Sequence, residues 1–136
     1  MCKQLVIFDL DGTLLDTIAD LAMAANHALR MCGYPVHSVE TLRTFVGNGI
    51  GKLLERSLPL AERTEENVER LRAEFIPYYN EHNTDLSMPY PGVQTLLGRL
   101  AACGVMLAVA SNKYQVATEK LVKYYFPEIP FAEVYG

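Results

Sequence analysis

Four apolar residues, Leu5 to Phe8, run directly into Asp9-Leu10-Asp11-Gly12-Thr13, and this junction constrains the chain more than any other stretch. An apolar run without alternation reads as a β-strand covered on both faces, as at the centre of a parallel sheet. Asp9 and Asp11 then fall just past its C-terminal end, where open α/β sheets place their ligands. If the backbone stays extended through Leu10, both carboxylates project to one side. Two like charges in one pocket repel unless a cation joins them or one takes a proton.

A chain of 136 residues, half of them hydrophobic and about a fifth charged, is long enough for one ordinary domain with a real core. The formal charge of −4, with no run of Lys or Arg, argues against nucleic acid as the main partner. Any anionic substrate must then be attracted by local groups and a metal. Cys2, Cys32 and Cys103 are scattered and odd in number, which fits a reducing cytoplasm rather than a disulfide framework. The N-terminus carries one Lys and a short apolar run broken by Asp9, so it does not read as a signal peptide. No segment is long enough to span a membrane.

Read in order, Thr17 to Cys32 has helical spacing, with Leu21, Ala25, Ala28, Leu29 and Cys32 on one side, and Gly33-Tyr34-Pro35 stops it. Ser38 is positioned as the N-cap of a short helix over Val39 to Phe45. Another helix carries Ile50, Leu53, Leu54 and Leu58 before Pro59. Thr64 followed by Glu65 and Glu66 opens a fourth, with Val68, Leu71, Phe75 and Tyr78 or Tyr79 as its stripe and Pro77 as a kink or local break. Roughly seventy residues after the first strand are therefore helical, far more than a βαβ crossover needs. The surplus reads as an inserted helical subdomain, or else as helices packed on the sheet edge. Met88 to Gly92 reads as a hinge-like linker. Val93 to Ala102 is a helix with Leu96, Leu97 and Leu100 inward, closed by Cys103-Gly104. Val105 to Ala110 is a second continuously apolar strand running into Ser111-Asn112-Lys113. Gln115 to Tyr125 is a helix with Ala117, Leu121 and Tyr124 inward, and Phe131 to Tyr135 begins a third strand. His27, His37 and His82 have no ligand-like spacing and read as surface or helix-face residues.

The sequence DLDGT after an apolar strand, and Ser-Asn-Lys after the next, are similar to the first two signatures of the haloacid dehalogenase-like (HAD) phosphohydrolases. The resemblance implies an α/β fold, a Rossmann-like parallel sheet core over residues 1–16 and 88–136, with a helical cap over 17–87. It implies an Mg²⁺-dependent enzyme in which Asp9 attacks phosphorus and Asp11 shuttles the proton, both also holding the metal. The chemistry is compatible: carboxylates form acyl-phosphate intermediates, and Mg²⁺ favours a few carboxylates plus substrate phosphate. Gly12 lets backbone turn closely around a phosphate, and the Thr13 hydroxyl can donate to it. Ser111, with Asn112 and Lys113, takes the phosphate-binding role of the second signature; taken alone, Ser111 reads equally as an N-cap of the following helix. Gly47-Asn48-Gly49 resembles the glycine-containing substrate loop of phosphoglycolate phosphatase-like and phosphoglucomutase-like members, and otherwise is a plain helix–helix turn.

Two further signatures of that family, a lysine steadying the nucleophile and an acidic pair completing the Mg²⁺ site, find no counterpart. After Lys113 the only acids are Glu119, Glu128 and Glu133, while Lys120 and Lys123 fall within a helix. In the family the second and third strands also lie on one side of the first, whose other edge would then stand open, a liability natural sheets avoid. The chain thus reads as an incomplete sheet, a fragment with little activity of its own. The expected function is a phosphatase for a small phosphomonoester, phosphoglycolate-like. The alternatives are a sugar-phosphate mutase sharing these signatures and a non-catalytic or degenerate domain. A two-component receiver is disfavoured, because no aspartate lies between Asp20 and Asp85.

Overall fold

A computed structural model describes residues 4–136; Cys2 lies outside the described residues. The chain forms two compact units, one built from residues 1–16 and 88–136 and the other from residues 17–87.

The first unit holds a three-stranded parallel sheet in the order β1-β4-β5, with β1 at Leu5–Phe8, β4 at Met106–Ala110 and β5 at Phe131–Tyr135. Val6 pairs with Leu107 and Phe8 with Val109, and a register shift after Leu107 sets Val109 against Val134. These residues share one face. They pack with Leu97 of α5 (Val93–Ala102) and with Leu121 and Val122 of α6 (Gln115–Tyr125), together with Leu10, Leu14 and Leu15 from the turn after β1. Both helices return the chain to the next parallel strand, and the right-handed crossover puts them on the same side of the sheet. Leu15–Asp16 (β2) and Met88–Pro89 (β3) pair antiparallel in a separate two-stranded ladder. This ladder crosses the stretch that the sequence marks only as a linker.

The sheet departs from expectation at β1. Leu5 and Ile7 are 54% and 60% exposed, and β1 is a terminal strand, so it is neither covered on both faces nor central. The reason is that α5 and α6 cover one face only. Leu5, Ile7, Met106 and Tyr135 are left exposed on the other. Two helix assignments also shift. Leu96 and Tyr124 are exposed, while Leu97 and the Leu121–Val122 pair carry the inner faces of α5 and α6. A stripe at i, i+4 and i+7 from Val93 reaches Leu97 and Leu100, and Leu96 stands about a quarter-turn away from it.

The second unit is helical: α1 (Ile18–Met31), α2 (Val39–Arg43), α3 (Ile50–Ser57) and α4 (Glu65–His82), with a short 3₁₀ turn at Leu60–Glu62. Ser38 Oγ accepts from Thr41 N at 3.1 Å and Thr64 Oγ1 from Asn67 N at 3.2 Å, so both sequence-marked caps form. The α4 helix runs unbroken through Pro77, held on either side of it by buried Phe75 and Tyr79. Ala25, Ala28, Leu29, Leu42, Leu53, Leu54 and Leu71 complete the core. Asp20, buried in the first turn of α1, accepts from Leu86 N (3.0 and 3.1 Å), Ser87 N (2.7 Å) and Ser87 Oγ (2.6 Å), and so ties the two ends of this unit together. His27 stacks on Tyr78, whose ring lies against His82, and His37 Nε2 meets Ser57 O at 2.7 Å.

Candidate active site

The extended backbone of β1 stops at Phe8, and the chain turns at once. The carbonyl of Leu10 accepts from Thr13 N (3.2 Å), Leu14 N (3.0 Å) and Leu15 N (3.0 Å), and Gly12 N donates to Leu15 O at 2.9 Å. Gly12 sits at φ +80°, in the left-handed region that costs glycine nothing. Leu10 is fully buried beneath this turn, whereas Asp9 is exposed and the Asp11 side chain is 16% exposed. One apolar anchor therefore separates two acids on a tight loop. Asp9 Oδ1 accepts from Leu10 N at 2.8 Å, which fixes that carboxylate's orientation.

The strand-end segment after β4 supplies the other half. Ser111 N donates to Tyr135 O at 2.9 Å, and Ser111 Oγ accepts from Lys113 N at 3.1 Å. The N-cap of α6 is Tyr114, and its helix begins at Gln115. Reading Ser111 as that helix's cap is therefore corrected: its hydroxyl is engaged within the Ser-Asn-Lys loop, ahead of the helix start. Lys113 is 5% exposed, and its Nζ lies 3.2 Å from Asp11 Oδ1. Thr118 Oγ1 reaches Lys113 O (3.2 Å) and Tyr114 O (3.0 Å), bracing the loop from inside α6. Burial pushes the Tyr114 phenol up to about 12, so it stays neutral beside the site.

The structure thus brings Asp11 and Lys113 into contact and places Ser111 and Asn112 on the loop that delivers Lys113. Asp9, Gly12 and Thr13 lie on the adjoining turn. Gly47, Asn48 and Gly49 belong to the second unit, where Gly47 (φ +125°) and Gly49 (φ +88°) lead into α3. Sequence reasoning did not find Thr118, and its position one helical turn inside α6 was the available signal. Among the described residues, no group of three or more His, Cys, Asp or Glu is arranged to hold a metal. The two carboxylates on one tight turn do suit Mg²⁺, which takes one or two carboxylates and completes its shell with water and substrate oxygens.

Among the described residues, no helix is long and apolar enough to cross a membrane. The chain is 34% identical along its whole length to a phosphoglycolate phosphatase of Psychrobacter arcticus, of which it covers 62%. Over 81% of its length it is 41% identical to a phosphoglycolate phosphatase of Vibrio cholerae serotype O1, of which it covers 51%. It therefore spans between half and two thirds of the length of these relatives. In structure, 98% of it superposes on 64% of a candidate phosphoglycolate phosphatase from Lactobacillus delbrueckii subsp. bulgaricus (TM-score 0.88, 34% identity). A haloacid dehalogenase-like hydrolase from Bacteroides fragilis, at 17% identity, shares the fold at a TM-score of 0.88, over 99% of this chain and 63% of that one. The model of the haloacid dehalogenase-like hydrolases matches residues 6–136, from the first strand to the last residue, and with the acidic turn and the Ser-Asn-Lys loop at its two strand ends this chain belongs to that family.

Proposed function

We propose that the protein is an Mg²⁺-dependent phosphatase acting on a small phosphomonoester of the phosphoglycolate kind, through a phosphoryl group carried on Asp9. One observation carries this reading: the acidic turn after β1 meets the Ser-Asn-Lys loop after β4 at the Asp11–Lys113 ion pair, 3.2 Å. The names of the relatives in Psychrobacter and Vibrio support the substrate class.

With Asp9 Oδ1 held by Leu10 N–H, Oδ2 is the attacking atom. It forms the new O–P bond in line with the departing ester oxygen, which leaves with a proton from Asp11. Asp11, then a carboxylate, takes a proton from water as the water attacks phosphorus and frees Asp9. Ser111 Oγ, Asn112, Thr13 Oγ1 and Lys113 bind the phosphoryl oxygens, and Gly12 leaves room for them. Asp9 and Asp11 would hold Mg²⁺, which when bound offsets negative charge on the transferring group. Residues 17–87 are the helical unit we assign as the cap, with Gly47-Asn48-Gly49 its candidate substrate loop. The scattered cysteines, with Cys32 and Cys103 free thiols, support the cytoplasm as the compartment.

The bare edge of β1, its exposed Leu5 and Ile7, and the greater length of the relatives all support further strands beside β1 carrying the missing lysine and acids. In a form extended by that segment, Asp9→Asn should abolish phosphate release from small phosphomonoesters in Mg²⁺. Normal turnover in that variant would sink the nucleophile assignment.

A further inference from the structure

The Ser-Asn-Lys loop is seated against the end of β5 by a side chain outside both signature motifs. Gln115, the first residue of α6, donates from Nε2 to Val134 O and to Glu119 Oε1, each at 2.7 Å, while its Oε1 accepts from Gly136 N at 2.6 Å. Two acceptors and one donor around one carboxamide fix which of its atoms is the nitrogen. A carboxylate there could not donate, and an ammonium could not accept. Gly136 closes the contact from the other side: a Cβ on it would stand 2.6 Å from Lys113 O, Gln115 Cα and Thr118 Oγ1, so a larger residue must displace the loop. Ser111 N also donates to Tyr135 O, and Thr118 Oγ1 to Lys113 O. The chain leaving β5 is thus clasped to the loop at Ser111, at Lys113 and at Gln115.

We propose that Gln115, with Gly136 pressed against it, is a positioning residue for phosphate binding: it holds the exit of β5 against Ser111–Lys113 and so fixes the loop in the shape that receives the phosphoryl group. This rests on the reading of Ser111, Asn112 and Lys113 as phosphate-binding residues. Donors fixed in advance stabilise a charged group more than donors that must reorganise to meet it. Gln115 is half-buried, so its polar bonds can be broken without opening the core. Gln115→Glu keeps the size of the side chain and the acceptor for Gly136 N. It sets a carboxylate against Val134 O and the Glu119 carboxylate, which drives the clasp apart. A residue with a purely structural role would lower stability and leave the folded protein's affinity for phosphate unchanged.

The test is inhibition by inorganic phosphate of p-nitrophenyl phosphate hydrolysis in Mg²⁺, using the protein extended beyond Gly136. The proteins compared are the wild type, Gln115→Glu, Ser111→Ala and the control Glu119→Ala, which leaves the bonds to Val134 and Gly136 in place. In Gln115→Glu the phosphate inhibition constant should rise, and kcat/KM fall, by about tenfold, the low side of what a 1 Å misplacement of a binding group costs. Ser111→Ala should raise the inhibition constant as well, and Glu119→Ala should match wild type. If Ser111→Ala weakens phosphate inhibition and Gln115→Glu does not, the positioning role is refuted while the phosphate-loop reading stands. If neither variant differs from wild type, both fall together. Should Gln115→Glu not fold, Gln115→Met, which removes the same bonds without adding charge, decides the question: weaker phosphate inhibition supports the positioning role, and unchanged inhibition refutes it.

Discussion

Asp11 and Lys113 illustrate what a residue pattern conveys and what it withholds. DLDGT and Ser-Asn-Lys each mark a strand end, and the sequence placed both on the right elements. Their ion pair joins positions at opposite ends of the chain, so nothing in the local pattern could state it. The same holds for Thr118, whose hydroxyl reaches back to the carbonyls of Lys113 and Tyr114. Tyr114 gives a prediction at this scale. The folded protein keeps its phenolic proton up to about 12, whereas the ordinary value is 10.0. The unfolded chain therefore loses that proton first as pH rises. The stability this linkage contributes is complete below pH 10 and falls away through 12. Chemical denaturation across this window should show an alkaline loss that is smaller in Tyr114→Phe. An identical loss in both proteins would show that the phenol is not responsible.

Single elements were legible where short-range chemistry decides them. The bounds of α6, Gln115–Tyr125, and of β5, Phe131–Tyr135, coincide with those read from the sequence, and the Ser38 and Thr64 caps form as their side chains dictate. Elements that depend on distant partners were not. The β2–β3 ladder has two residues per strand, too few for periodicity to register. Pro77 does not interrupt α4, because burial of Phe75 and Tyr79 outweighs one missing backbone donor. Asp20 is the clearest instance: it lies in the first turn of α1, is buried, and accepts from the backbone at Leu86 and Ser87, more than sixty residues away. Asp20→Ala would orphan these donors and should destabilise residues 17–87 by about 3 kcal/mol, more than Ser87→Ala, which removes only the hydroxyl donor. Urea unfolding followed by helical circular dichroism measures both. A loss below about 1 kcal/mol for Asp20→Ala would mean that water replaces the carboxylate.

For the molecule as a whole, the apolarity of Leu5-Val6-Ile7-Phe8 is only half used. Val6 and Phe8 pack under α5 and α6, while Leu5 and Ile7 face outward on a terminal strand. The unalternating apolar run reads as a strand covered on both faces, and one face is exposed because the chain supplies helices for one side only. An open edge beside a bare apolar face favours association, and the proposed further strands would pair the edge. The relatives' additional length is of the right order for such a segment, since the chain covers 62% and 51% of the two described above. On this account, residues 4–136 position the nucleophile, the proton carrier and the phosphate-binding loop, and the extended protein completes the charge around them. The central claim, that phosphate passes through Asp9, is tested most directly by acid-quenching the extended protein during turnover of a small phosphomonoester in Mg²⁺ and mapping the phosphoryl group by peptide mass spectrometry. The account predicts phosphate on the Asp9 carboxylate, absent from Asp9→Asn. Phosphate on another residue, or full turnover with none trapped on Asp9, would contradict it.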